Sequence, residues 1–340
     1  MNGKPTIRDV AALAGVSTAS VTRALTQPDV ISETLRERVL AACKTLGYRA
    51  NRQAVDFRKG RSNTIIVLVS DIANPFYSEF FAGIEEQARS EGYVVLIGDT
   101  ASDPQSELTY VAMLMSGKAD GLVSNTGRLL RSLPRGVSGE LEYDGPPIVV
   151  CNRDAGEDFP VVRIGNYAAG RRAAEHLIGL GHRSFVQIHG SLEFDDFRER
   201  LQGFSDAVTE AGLPAPRLIG GDKRIRSGRE AVDAMVGSPP LPTAIFAHND
   251  EMALGVIHQL GKHGYLVPRD LSVVGFDDLN YASATSPALT TLRIPRREWG
   301  AAACRQLLSL VEHGNVGHPI DLVIEAEIKI RASSAPPRAS

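Results

Sequence analysis

The chain opens on a repeating pattern of apolar positions. In TIRDVAALAGVSTASVTRAL, residues Thr6 to Leu25, Ile7, Val10, Ala11 and Ala14 recur at the spacing of one helix face. Thr6 followed three residues later by Asp9 is a capping-box start, and Gly15 supplies the left-handed residue that stops a helix. Ser17 suits the N-cap of a second helix, which Pro28 ends. Val21, Ala24 and Leu25 share the inward side of that helix, whereas Thr18/Thr22 and Ala19/Arg23 are i, i+4 pairs pointing elsewhere. A third helix is predicted from Ser32, with Leu35, Val39, Ala42, Cys43 and Leu46 in its stripe and Gly47 at its end. So small a bundle has a thin core.

From Thr64 the periodicity changes. Ile65–Ser70, IIVLVS, is a continuous apolar run of the kind that forms a buried parallel strand. It is followed by alternating helices (Phe76–Glu91, Pro104–Ser116) and strands (Tyr93–Gly98, 121–123, Pro147–Cys151, Val161–Gly165). The alternation then restarts, with helices predicted at Ala168–Leu180, Arg198–Ala211, Gly228–Val236 and Glu251–His263. The strands of this second run are Ser184–Ile188, Ala244–Ala247 and Ser272–Phe276. Two such runs predict an α/β core of two lobes, each a doubly wound parallel sheet. Ligands in such folds sit beyond the carboxyl ends of strands, here between lobes. The residues to read are therefore Asp71, Asn74 to Tyr77, Ser124-Asn125, Asn152-Arg153, Asn249-Asp250 and Asp277-Asp278, with Arg198 and Arg200 at the start of a helix. Taken singly, each is equally a strand-end cap or turn residue. Together they suit a small polar ligand.

Two helices joined by a tight glycine turn form a helix-turn-helix, whose second helix can enter the DNA major groove. Its outward residues are small or cationic: Arg binds guanine, Thr either base-pair partner, and Ala packs on a thymine methyl. An ordinary helical hairpin fits the same pattern. Charge separates the two readings. Residues 1–62 carry 11 Lys and Arg against 5 Asp and Glu, while the rest of the chain carries 26 against 35. A basic head on an acidic body suits a polyanion-binding module. Arg49–Ser62 holds five cations and Asp56; it reads either as a solvated linker or as a short helix over Asn51–Phe57 that forms only against DNA and a partner subunit.

At 340 residues the chain accommodates two or three domains. With no apolar run long enough to span a membrane and no secretory core at its start, it is expected in the cytoplasm. Cys43, Cys151 and Cys304 lie far apart and read as buried thiols, so neither a metal nor any other cofactor is expected. An enzyme is disfavoured: GxGxxG, GxxxxGK[ST], HExxH and GxSxG are all absent. His248 and the Asp277-Asp278 pair could serve as acid and base, but no nucleophile or metal set accompanies them. The missing export signal likewise disfavours a solute-binding protein.

Over Thr6 to about Arg331 the sequence resembles the LacI/GalR family of bacterial transcriptional regulators. The matching motifs are the first stretch above, GYRANRQA, SDIANPFYSEFFAGIE, AAEHLIGLGHR, RERLQGF, HNDEMALG, VPRDLSVVGFDD and PALTTLRIP. The resemblance implies an N-terminal all-α helix-turn-helix head (1–49), a hinge helix or linker (50–62) and a periplasmic-binding-protein-like core (63–332). It divides the core into lobe 1 (about 63–163 and 293–321) and lobe 2 (about 164–292 and 322–332), with 333–340 a disordered tail. It also implies a homodimer on a palindromic operator of double-stranded DNA, with affinity set by a small effector: a sugar or sugar derivative before a nucleoside. Base-reading positions fall on Thr18, Ala19 and Arg23, backbone contacts on Ser17, Thr22 and Thr26, and hinge contacts on Asn51, Arg52, Ala54 and Phe57. Effector positions fall on Phe76, Tyr77, Asn152, Arg200, Lys223, Asn249 and Asp277, and less directly on Ile294. The chain departs from the family in five places: Phe57 replaces a usual Leu, Ala50 a common Pro, Asn152 a frequent Asp, Lys223 an aromatic and Ile294 a Gln. The changes at Asn152 and Lys223, an acid to an amide and an aromatic to a cation, argue for an effector other than a plain neutral hexose, such as a sugar acid, sugar phosphate or nucleoside, unless Lys223 points out to solvent.

Overall fold

A computed structural model of the chain describes residues 5–26, 30–48, 61–127, 133–134, 136, 141–151, 159–314 and 321–338. It divides into two compact units, with the break between Ser62 and Asn63.

The first unit is three helices: α1 (Ile7–Ala14), α2 (Thr18–Thr26) and α3 (Glu33–Leu46). The Thr6 backbone N–H donates to Asp9 Oδ2 at 2.7 Å, and Gly15 takes φ 63° to end α1. Arg38 Nη2, from α3, donates to the freed carbonyl of Ala14 at 2.6 Å. The core is Val10, Ala11, Ala14, Val21, Ala24, Val39 and Ala42, with Leu25, Cys43 and Leu46 half-buried around it. Its largest members are valines, so this unit is closed by caps and small side chains more than by buried volume.

The second unit holds two six-stranded sheets. Its elements in order are β1 (Thr64–Val69), α4 (Tyr77–Ser90), β2 (Val94–Asp99), α5 (Pro104–Met115), β3 (Gly121–Asn125), β4 (Ile148–Val150) and β5 (Val161–Ile164). They continue with α6 (Asn166–Gly179), β6 (Phe185–His189), α7 (Asp195–Glu210), β7 (Arg217–Gly220), α8 (Ile225–Val236), β8 (Ala244–Ala247) and α9 (Asp250–Lys262). Last come β9 (Ser272–Asp277), β10 (Thr290–Arg293), α10 (Arg296–His313), β11 (Asp321–Ile324) and β12 (Glu327–Lys329). Lobe 1 orders its strands β11-β5-β4-β3-β1-β2, all parallel; lobe 2 orders them β12-β10-β9-β8-β6-β7, with β12 alone antiparallel. Strands β1, β3, β4 and β9 are buried on both faces, which explains the Val/Ile/Leu runs of β1 and β4 and the apolar centres of β3 and β9.

Strand β11 carries lobe 1 to Ile324, pairing along β5, and Arg163 Nε donates to Asp321 at 2.8 Å. One expectation is corrected. Residues 333–335, expected to be disordered, are pinned: Ser333 Oγ donates to the Val273 carbonyl at 2.6 Å, and the Ala335 carbonyl accepts from His182 and Ser272, each at 2.9 Å. Cys151 and Cys304 are buried, but Cys43 is only half-buried. Among the described residues no helix is long and apolar enough to cross a membrane.

Candidate functional site

Two surfaces carry the chemistry, one in each unit. In the first unit, Ser17 Oγ accepts from the Ser20 N–H at 3.1 Å and so caps α2. Thr18, Ala19 and Arg23 are exposed along α2 while Val21 and Ala24 face inward, so the helix presents a small, singly cationic outer face. Thr22 is half-buried, its Oγ1 donating to the Thr18 carbonyl at 3.0 Å. Thr26 is the last residue of α2. Asn51, Arg52, Ala54 and Phe57 lie outside the described residues, as does Asn152 of the core.

In the second unit a cavity lies between the lobes, lined by residues of both. Of the expected effector residues, Phe76, Tyr77, Arg200, Lys223, Asn249, Asp277 and Ile294 all line it. Each sits where a strand or helix end leaves the sheet: Phe76 and Tyr77 at the start of α4, Arg200 in the second turn of α7, Asn249 as N-cap of α9, and Asp277 closing β9.

Arg200 is the centre of the site and is buried. Its guanidinium donates to Asn166 Oδ1 at 2.7 Å and to the His248 carbonyl, and its Cζ lies 3.3 Å from the centroid of the Phe276 ring. Burial pulls its pKa down to about 10, against the pull of Asp277 and Asp196 in the other direction, so it remains a cation at neutral pH. α7 can bring Arg200 this close to Asn166 because α6 and α7 touch backbone to backbone: a Cβ on Gly170 would strike the Arg200 carbonyl, and one on Gly203 the Tyr167 carbonyl. Asp277 is buried at φ 115°. Burial and the neighbouring Asp250 push its carboxyl well above the ordinary range, and Arg200 and Arg296 oppose that shift. Asp250 itself is fully buried, accepting from Thr291 Oγ1 at 2.6 Å and from the Leu279 N–H at 2.8 Å.

Asn249 is engaged within the protein. Its Oδ1 accepts from the Met252 N–H at 2.9 Å and its Nδ2 donates to the Lys223 carbonyl at 2.7 Å. That clasp holds Lys223 at φ 70° and turns it to the cavity, where its Nζ lies 5.6 Å from the Phe194 ring centroid. Arg198 and Asp278, singled out by position, lie outside the cavity: Arg198 pairs with Asp195, and Asp278 with Arg331 at 2.6 Å. Asp71 reaches across the mouth to Arg224 of the other lobe at 2.8 Å.

Sequence reading missed Asn166, Phe194, Asp196, Phe197 and Trp299, all on the wall. It met His248 only as a conceivable acid or base. Phe194 and Phe197 flank the start of α7 and were recoverable from the same helix-start argument that found Arg200. Trp299 follows the segment joining the lobes and gives no local signal; its Nε1 donates to the Val162 carbonyl at 2.6 Å.

A capped helix-turn-helix in one unit and a two-lobe body with a polar cavity in the other are the parts of a ligand-responsive DNA-binding regulator. The family described as bacterial regulatory proteins, lacI family, matches residues 6–51, and a periplasmic binding protein-like domain matches residues 174–334. The chain is 37% identical over 332 residues to the HTH-type transcriptional repressor CytR of Escherichia coli (strain K12), covering 97% of this chain and 96% of the relative. It is similar to the lac repressor dimer bound to operator and the anti-inducer ONPF, with a TM-score of 0.86 at 26% identity over 98% of this chain and 100% of the other. The transcriptional regulator CelR–cellobiose complex matches with a TM-score of 0.72 at 30% identity, over 97% and 99% of the two chains. The chain belongs to the LacI family and is a DNA-binding transcriptional regulator, not an enzyme.

Proposed function

We propose that the protein is a homodimeric repressor of the bacterial cytoplasm whose grip on a palindromic operator is set by a sugar or sugar derivative bound between the lobes. The observation that carries the effector reading is the buried Arg200–Asn166–Asp277 group on the wall of a cavity shared by both lobes. Buried charge of this kind is costly unless paired, and hydroxyl groups of a sugar would complete its hydrogen bonding. Cellobiose in the CelR relative supports the same class. A nucleoside is the second reading, favoured by the Phe76, Phe194 and Phe197 rings on the cavity wall, on which a base could stack.

On the head, Thr18, Ala19 and Arg23 read bases, with Ser17, Thr22 and Thr26 toward the backbone and Asn51, Arg52, Ala54 and Phe57 in the hinge. Because Ser17 caps α2, its contact to DNA would be made by a hydroxyl already fixed in place. Two heads on a symmetric dimer read two half-sites. A second copy of the chain is the occupant suited to the sheet edges: Val94, Leu96 and Ile97 on edge strand β2 and Leu218 on edge strand β7 are exposed, and such edges are normally covered. The effector acts by its different affinity for the two lobe arrangements, and its coupling to DNA is reciprocal.

Arg23 is the test on the DNA side. Arg23→Ala should cost about 1–3 kcal/mol per half-site in operator titrations and relax specificity there. Equal weakening on operator and random duplex would remove Arg23 from base reading.

A further inference from the structure

His248 is fully buried on the cavity wall, and its ring stacks on Phe197 with an interplanar angle of 4°. Its tautomer is fixed from behind. Gln187 Nε2 donates to the Leu201 carbonyl at 3.3 Å and lies 2.9 Å from Ser205 Oγ, so the Gln187 amide is oriented with Oε1 toward the imidazole. Oε1 can only accept, and it lies 3.1 Å from His248 Nε2, which must therefore carry the proton. Nδ1 is left with a bare lone pair, is buried and has no hydrogen-bond partner. A buried acceptor in that condition costs free energy until a donor reaches it. Burial, with Arg200 and His189 adding to it, holds the ring well below the ordinary histidine range, so it stays neutral and cannot become a donor at Nδ1 near neutral pH.

We infer that His248 Nδ1 is a specificity-determining acceptor for the effector, which must present a hydroxyl or N–H donor at that point, and that Gln187 is the positioning residue that keeps Nδ1 bare. The inference rests on the reading of this cavity as the effector site. The resulting selectivity is one-sided: an analogue lacking that donor leaves Nδ1 unpaired and is rejected, whereas added bulk elsewhere is not sensed here.

The test uses the full chain. Histidine-labelled protein, with His248→Gln identifying the resonance among the eight histidines, gives the tautomer by ¹⁵N NMR; a bare Nδ1 and protonated Nε2 are expected. Calorimetry with D-ribose, D-glucose, adenosine and uridine then finds which of these the wild type binds. H248Q keeps a donor near Gln187 but has none of the Nδ1 acceptor, so it should bind that compound about tenfold more weakly. H248N returns an acceptor near the Nδ1 position and should recover part of the loss. One single-deoxy analogue of the bound compound should bind wild type and H248Q alike, an outcome that a general loosening of the wall would not give. An Nδ1–H tautomer, or equal binding of the parent compound by wild type and H248Q, would overturn the inference alone. Binding of none of the four by the wild type would overturn the reading of the cavity, and this inference with it.

Discussion

The two lobes contribute to one cavity in opposite ways. Every charged side chain on the wall, Asp196, Arg200, Lys223 and Asp277, comes from lobe 2, together with His248 and Asn249. Lobe 1 brings Phe76, Tyr77 and Trp299 with neutral polar groups such as Ser70, Asn74 and Asn125. The difference follows from what the buried guanidinium needs: Arg200 is held by Asn166, Phe276 and the His248 carbonyl, all of its own lobe, and Asp277 faces its charge. Lobe 2 is thus the charged half of the wall, with Phe194 and Phe197 beside its charges, and lobe 1 an uncharged cover of aromatic, amide and hydroxyl groups. On the proposed reading, a ligand that fills both halves would favour the lobe arrangement in which it touches both. Polar contacts between the lobes include Arg224 with Asp71 at 2.8 Å and Arg296 with the Asp278 carbonyl at 3.2 Å.

The asymmetry can be broken most forcefully at Arg200. Arg200→Leu removes the donor to the buried Asn166 Oδ1 and the charge opposite Asp277, so it should cost about 3–5 kcal/mol in denaturant unfolding and abolish any effector response. A loss no larger than that of a surface change would mean that lobe 2 is not organised around this guanidinium.

Asp250 sharpens the same point through pH. Burial raises its folded pKa to about 7 from an ordinary 3.8. The folded state therefore holds the proton more tightly, and the stabilisation is present below about pH 4 and lost as pH rises through about 7. The stability of wild type relative to Asp250→Asn should fall across that window and level off above it. A difference independent of pH would show that Asp250 is ionised throughout.

Lobe 1 predicts smaller effects. Tyr77 Oη reaches Ser70 Oγ at 3.4 Å and the Asn125 carbonyl at 3.5 Å, both long, and burial pushes its hydroxyl up to about 12. Tyr77→Phe should cost about 0.5–1.5 kcal/mol in unfolding, well under Arg200→Leu; equal costs would erase the contrast. Smallest is the exposed pair at the mouth. Asp71→Asn should change stability by less than about 1 kcal/mol and show itself as a weaker preference for the closed arrangement, read by small-angle scattering with and without D-ribose and D-glucose.

The alternation of apolar runs revealed the two-lobe core because its strands are buried on both faces and need no partner to be recognised. Strands β7, β11 and β12 escaped because they are short and mostly exposed or half-buried, and β10 because its buried TTLR is largely polar, so no apolar run marks them. The pinned end at 333–335 escaped for another reason: ASSAPPRAS reads as tail by composition, and its order comes from Ser272, Thr290 and the histidines at 176 and 182, all remote in sequence. In the cavity, strand-end position located Asp277 and Asn249, but not that Asn249 spends its amide on Met252 and Lys223. The unpaired nitrogen of His248 depends on Gln187, 61 residues away, and periodicity carries no trace of such a pairing.

Selection of binding sites from a random duplex pool by the full chain, followed by titration of the selected duplex with and without D-ribose, D-glucose, adenosine and uridine, tests the account most directly. A palindrome should emerge, and at least one of the four should change its affinity by about tenfold or more, within the usual range of coupling between sites. Equal binding to palindrome and random duplex, unmoved by all four, would contradict it.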